Sequence, residues 1–166
     1  MSKKAYKQPD YLYDVIEILI VHLLEMTTVI LNPGNFRRRA TVLLPGADGA
    51  LSIRYHFKFD DEKELALRFY PNDDKRMGVS GHCYNVGKQV TAFKEFGLSE
   101  EMKNLSDTLI KVVLCTPIIM PGKTKAIGVL AIDSYNEKDY ANFTEPEFLK
   151  STFLIAEHIG LMLRFV

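Results

Sequence analysis

The residues best able to do chemistry in this 166-residue chain are Ser80, His82, Cys83 and Tyr84, set among Gly78, Gly81 and Gly87. An adjacent imidazole and thiol suggest a base and its nucleophile. Neighbouring positions on a helix point to different sides, however, so His82 and Cys83 make a poor catalytic pair and Cys83 is expected to be a packed thiol. Cys115, inside an apolar run, should pack as well. Asp133 closes another apolar run; it either ends a strand or, if its face lines a pocket, offers a carboxylate to an amine or hydroxyl. A small-molecule pocket mixes aromatic walls with a few polar groups. Tyr55, Arg68, Phe69, Ser80, His82, Cys83, Tyr84, Thr116 and Asp133 supply that mixture if the fold brings them together. They form the candidate ligand-binding set, which specifies no cofactor.

Other chemistries find little support. The four histidines, His22, His56, His82 and His158, are scattered, and none stands four residues from a second ligand of the right type, so no metal site is expected. His22 and His158 should instead make hydrogen bonds at a packed or dimer surface. Phosphate-binding loops, dinucleotide fingerprints and serine nucleophile elbows do not occur. Lys plus Arg equals Asp plus Glu at 21 each, which supplies no field for a nucleic-acid backbone. The one basic run, Arg37, Arg38 and Arg39, reads as a solvated strand start. Two cysteines are too few for a disulfide framework and suit a reducing compartment. The apolar run from Val15 is broken by Glu17, His22 and Glu25, and Asp10 and Asp14 disrupt the plan of a secretory signal. The expected location is the cytoplasm, with no membrane and no nucleic-acid partner.

The elements that must position these residues are legible from periodicity. Residues 10–31 read as a helix stopped by Asn32, Pro33, Gly34 and Asn35, with Leu12, Ile16, Leu19, Leu23, Met26 and Ile30 as one stripe. Tyr11, Val15, Ile18, Val21 and Val29 carry apolar character further round, more than one buried face requires. Two strands, 36–44 and 50–59, flank a Pro-Gly turn, with Leu51, Ile53, Tyr55 and Phe57 expected on one side. Residues 64–70 suggest a third strand, 78–88 a short helix, 89–93 a strand and 99–105 another short helix. Residues 111–120 and 125–134 form a second hairpin. Thr144 and Glu147 match a capping box at the start of a last helix, which carries a stripe of Phe148, Ile155, Ile159, Met162 and Val166 with Leu149, Phe153, Ala156 and Leu163 beside it. No repeating βαβ period occurs, which argues for an α+β fold with an antiparallel sheet and terminal helices on one face. Residues 10–166 read as one domain behind a flexible 1–9 segment. The two-sided apolar helices suggest that they touch both their own sheet and the same helices of a second subunit.

Four segments resemble the GAF family in the right order: the glycine-rich stretch from Gly78 to Lys88, the strand Val113-Leu114-Cys115-Thr116-Pro117-Ile118, the run Gly128-Val129-Leu130, and Asp133-Ser134 followed by Phe143-Thr144-Glu145. The resemblance covers 36–166. It implies a six-stranded antiparallel sheet, terminal helices that cover one face and form a homodimer interface, and a ligand pocket on the other face beneath a roof drawn from 70–111. It implies a non-catalytic sensory domain that acts on a downstream signalling protein. Two alternatives remain: a dimerisation module without ligand, and an enzyme similar to free methionine sulfoxide reductases, which share the GVLAIDS stretch from Gly128 to Ser134. Against that enzyme, Ser80 stands where the family's roof cysteine would be, 93–101 has no cysteine, and Ala131 replaces an acidic residue. Cyclic-nucleotide and bilin-binding patterns match less well.

Overall fold

The computed structural model describes residues 11–58, 62–94, 97–107 and 109–166. The flexible segment expected at 1–9 lies outside these residues. Six antiparallel strands form one sheet in the order β3-β2-β1-β6-β5-β4: β1 Arg38–Pro45, β2 Leu51–Phe57, β3 Arg68–Phe69, β4 Val90–Phe93, β5 Val112–Ile119 and β6 Ala126–Ser134. The helices are α1 Tyr11–Glu25, α2 Gly78–Val86, α3 Glu100–Leu105, α4 Asp139–Thr144 and α5 Pro146–Met162. No helix among the described residues is long and apolar enough to cross a membrane.

Alternation along the two central strands divides the interior into two layers. Ala40 and Val42 of β1, Leu130 and Ile132 of β6, and Val112, Leu114 and Ile118 of β5 face α1 and α5. The opposite side chains, Leu43, Val129, Ala131, Val113 and Cys115, join Val79 and Cys83 of α2 and Met102 of α3 in a second core under the connecting segments. A Cβ at Gly128 would stand 2.6 Å from Leu44 Cδ2 and 2.7 Å from Leu43 O, so only glycine lets β6 approach β1 this closely.

Several local expectations are corrected. The first three residues of the expected third strand belong instead to a 3-10 helix, Glu62–Ala66, leaving only Arg68–Phe69 extended, because Glu64 turns inward to meet a buried arginine. The capping box does not form: Thr144 Oγ1 donates back to Tyr140 O and Ala141 O and so closes α4, while Glu145 and Pro146 start α5. On α1 the buried stripe is Ile16, Ile20 and Leu24, whereas Leu19, and Met26 and Ile30 beyond the end of α1, are exposed. The helix then widens into a π-helical turn, Met26–Ile30, in which Leu31 N reaches back five residues to Met26 O. Thr27 O is thereby freed from the ladder.

The basic run is the largest correction. Only Arg37 is exposed; Arg38 and Arg39 are 1% and 3% exposed, on opposite faces of β1. Arg38 points toward the helices, where Nε donates to Asp139 Oδ2 at 2.6 Å and Nη2 pairs with Asp139 Oδ1. Its Nη1 donates to Leu31 O at 2.7 Å and to the freed Thr27 O at 3.3 Å. Phe143 and Phe148 flank the guanidinium, each ring centre 5.0 Å away. This arginine ties the end of α1 to β1, α4 and α5.

Candidate functional site

On the sheet face away from the terminal helices lies a cavity of about 340 Å³. Its apolar wall is built by Leu43 of β1, Ile53 of β2, Leu67 and Phe69 around β3, and Leu98 and Ile110 from the roof. Its polar end holds Arg39, Asp133 and Asp107, with Thr41, Ser80 and Ser106 along the side and Lys94 and Lys103 also lining it. The pairing of β1 with β6 explains the polar end: Arg39 lies opposite Asp133, and Thr41 opposite Ala131.

Arg39 is shared among carboxylates. Nε donates to Asp133 Oδ2 at 2.8 Å and Nη1 to Glu64 Oε1 at 2.8 Å, while Nη2 contacts Glu64 Oε2 at 2.5 Å. That last contact lacks hydrogen-bond geometry, and Glu64 Oε2 is buried without another donor among the described residues. Asp107 Oδ2 stands 3.9 Å from Nη1, within ion-pair range and beyond a hydrogen bond. Burial opposes the charge on Arg39, yet Asp133 and Glu64 together raise its pKa further above the usual value. Burial also raises the Asp133 carboxyl, and Asp107 adds to this, against the lowering effect of Arg39. The Tyr135 hydroxyl, hydrogen-bonded to Asp107, is pushed up to about 12 mainly by burial.

Of the nine candidate residues, the structure brings Phe69, Ser80 and Asp133 to the cavity. Cys83 packs behind the cavity wall, where burial pushes its thiol up to about 12. Tyr84 is half-buried beside the same core, and His82, on the position of α2 before Cys83, is half-buried and outside the cavity lining. Arg68 turns outward and donates to Leu65 O and Leu67 O. Tyr55 and Thr116 lie on the opposite side of the sheet. The β1–β2 register pairs Val42 with Tyr55 and Leu43 with Ile53, so Arg54 is an extra residue. That bulge turns Tyr55 and Phe57 toward the helices while Leu51 and Ile53 keep the other face. Thr116 shares its face with Leu114 and meets Gln89 Nε2 at 3.1 Å, which also donates to Thr152 Oγ1 and Leu149 O. Arg39, Glu64 and Asp107 were missed. The available signal was the entry of Arg38 and Arg39 into an apolar strand, since a buried guanidinium requires acidic partners.

Among the described residues no group of three or more His, Cys, Asp or Glu side chains is arranged to hold a metal ion. His22 and His158 are exposed, with Nδ1 of each near Glu25 Oε2 at 3.4 Å and Leu154 O at 2.7 Å. Cys115 is buried, with its sulfur 3.5 Å from Ser80 Oγ.

No family model matches the sequence, and no curated protein matches it. Among solved structures, the chain is similar to the GAF domain region of a protein from Geobacter sulfurreducens PCA, with a TM-score of 0.67, 14% identity, and 94% of this chain and 97% of that chain covered. It is similar to the GAF domain of an Acinetobacter phosphoenolpyruvate-protein phosphotransferase, with a TM-score of 0.61, 8% identity and 95% of both chains covered. It is also similar to the type II free methionine-R-sulfoxide reductase of Thermoplasma acidophilum, with a TM-score of 0.65, 11% identity, and 93% of this chain and 95% of that chain covered. The fold is therefore that of GAF domains, as the sequence resemblance implies. It is a fold shared by GAF domains and by at least one enzyme class.

Proposed function

We propose that residues 10–166 form a single cytoplasmic regulatory domain that binds a small molecule beneath its roof, pairs with a second copy through its terminal helices, and passes the signal to a partner protein without catalysing a reaction. The observation that carries this reading is the cavity itself, with an apolar wall and one polar end, on the sheet face opposite the helices. Pairing is supported by the apolar residues left on the outside of α1 and of the π-helical turn after it, among them Tyr11, Ile18 and Ile30 at 67%, 56% and 68% exposed, and by Leu154, Leu161 and Phe165 at the other end of the chain. Coupling is supported by Arg38 and Arg39. They are consecutive in β1, and one reaches the end of α1 while the other reaches the cavity.

The non-catalytic part rests on the thiols. Both cysteines are fully buried, neither lines the cavity, and Cys83 is held far from its reactive thiolate form. Small molecules released from denatured protein, identified by mass spectrometry, together with light scattering of the intact chain, test the reading. A bound metabolite and a dimer are expected. Recovery of nothing, with no thermal shift across amino acids, nucleotides and common anions, would favour a pure dimerisation module. A monomer at micromolar concentration would remove the pairing, and turnover of free methionine sulfoxide would replace the sensor with the reductase.

A further inference from the structure

The cavity has a preferred ligand charge, which follows from its two ends. At the polar end three carboxylates, Asp133, Glu64 and Asp107, surround one guanidinium, that of Arg39. Glu64 takes two of its nitrogens from behind and does not line the cavity. Asp133 and Asp107 do line it. Asp133 receives Arg39 on Oδ2 at 2.8 Å, with its side chain 13% exposed, and Asp107 lies 3.9 Å from the guanidinium, while its Oδ1 accepts the Leu109 N–H at 2.8 Å and its carboxylate is hydrogen-bonded to the Tyr135 hydroxyl. The polar end therefore sets three carboxylates against one guanidinium. Two further cations line the cavity: Lys103, whose ammonium is engaged by Glu100 at 2.6 Å, and the exposed Lys94. The rest of the wall, Leu43, Ile53, Leu67, Phe69, Leu98 and Ile110, is aliphatic or aromatic and suits a compact apolar body.

We infer that the cavity binds a small organic cation, a primary ammonium on an apolar body, with the ammonium seated between Asp133 and Asp107. This rests on the ligand-binding reading above and narrows it to one chemical class. An ammonium supplies a positive charge and up to three donors to Asp133 and Asp107, which with Glu64 share the single guanidinium of Arg39, whereas a carboxylate or phosphate placed between them would add a like charge at low dielectric. A hydroxyl supplies one donor and leaves the charge excess in place. Burial and Asp107 already raise the Asp133 carboxyl, so an arriving cation relieves an existing electrostatic cost. The ammonium also bridges the sheet, through Asp133, to the roof, through Asp107.

The test is thermal shift and calorimetry on the full chain with isoamylamine and phenethylamine, each beside its alcohol and its carboxylate, isovalerate or phenylacetate. Amines are expected to stabilise the protein more than their alcohols, and carboxylates not at all. Asp133→Asn is expected to weaken amine binding by about tenfold or more, the scale of one charge-assisted hydrogen bond. Asp107→Asn should act in the same direction, and Ala131→Leu, which fills the cavity floor and leaves both carboxylates in place, should abolish binding. Equal binding by amine and alcohol, tighter binding by carboxylate, or amine binding unchanged in Asp133→Asn overturns the ligand class while leaving a small-molecule domain intact. Amine binding unaffected by Ala131→Leu places the amine elsewhere and overturns the site. No stabilisation by any of the six compounds, with nothing released from the denatured protein, overturns both readings.

Discussion

Arg38→Met should be among the most costly single substitutions outside the apolar core. The side chains of Arg38 and Asp139 are both fully buried, and the guanidinium makes two contacts to the carboxylate and two to main-chain carbonyls of Thr27 and Leu31. Methionine approximates the volume and leaves Asp139 as a buried carboxylate whose remaining described donor is Asn142 Nδ2 at 2.8 Å. Removing one partner of a buried ion pair costs about 3–5 kcal/mol, which for a chain of this length corresponds to roughly 6–20 °C in Tm. Urea unfolding followed by circular dichroism, with calorimetry for Tm, measures the loss directly. The double variant Arg38→Met/Asp139→Leu should recover part of it, because an apolar pair no longer strands a charge. A loss under about 1 kcal/mol, or a double variant worse than the single, would refute the claim that this pair holds the helix end to the sheet.

Three further outcomes follow from the same geometry. With its pKa pushed up to about 12, Cys83 should resist alkylation in the native protein at pH 8 and react readily in denaturant; rapid native labelling would contradict the packing of α2. Gly128→Ala places a methyl against Leu43 O and Leu44 Cδ2 and should cost about 1–3 kcal/mol in urea unfolding, whereas a neutral effect would mean that β1 and β6 separate easily. The Asp133 carboxyl is raised in the folded state, so the folded chain holds that proton more tightly than the unfolded one, and its contribution to stability falls as pH rises from the ordinary value of 3.8 through the folded value. Asp133→Asn lacks this term and should gain on the wild type across that window; a stability difference independent of pH would refute the assignment.

The fold was readable from sequence where the determinants are local. Both hairpins follow from turn residues between alternating runs, and α2 falls within the expected 78–88 segment, ended by Gly87 at φ 61°. The site was only partly readable because its determinants are long-range. Arg38 and Asp139 are 101 residues apart in the chain, Arg39 and Asp133 are 94 apart, and no window joins them. Tyr55 was misplaced by one inserted residue, since a single bulge reverses every later side chain on a strand. Thr116 failed for a related reason. Its polarity suggested a pocket, but register with β6 puts Cys115 opposite Ala131 and so assigns Thr116 to the helix side, where Gln89 and Thr152 satisfy it.

The two arginines also bear on how occupancy of the cavity would reach the helices. A ligand shifts a conformational equilibrium only by the difference in its affinity for the two states. An ammonium between Asp133 and Asp107 competes for the carboxylates that now hold Arg39, and Arg39 is covalently next to the residue whose Nη1 holds Leu31 O at the end of α1. The π-helical turn, with Leu31 N bonded five residues back, is an element with an evident alternative, the regular helix in which Leu31 N returns to Thr27 O and Arg38 loses that acceptor. Amine binding is therefore expected to change the hydrogen-exchange protection of amides 27–31 in the wild type. It should not do so in Arg38→Met, provided that variant is assayed at a temperature where it remains folded. A ligand-dependent change that persists without Arg38 would route the signal through the roof or β6 instead.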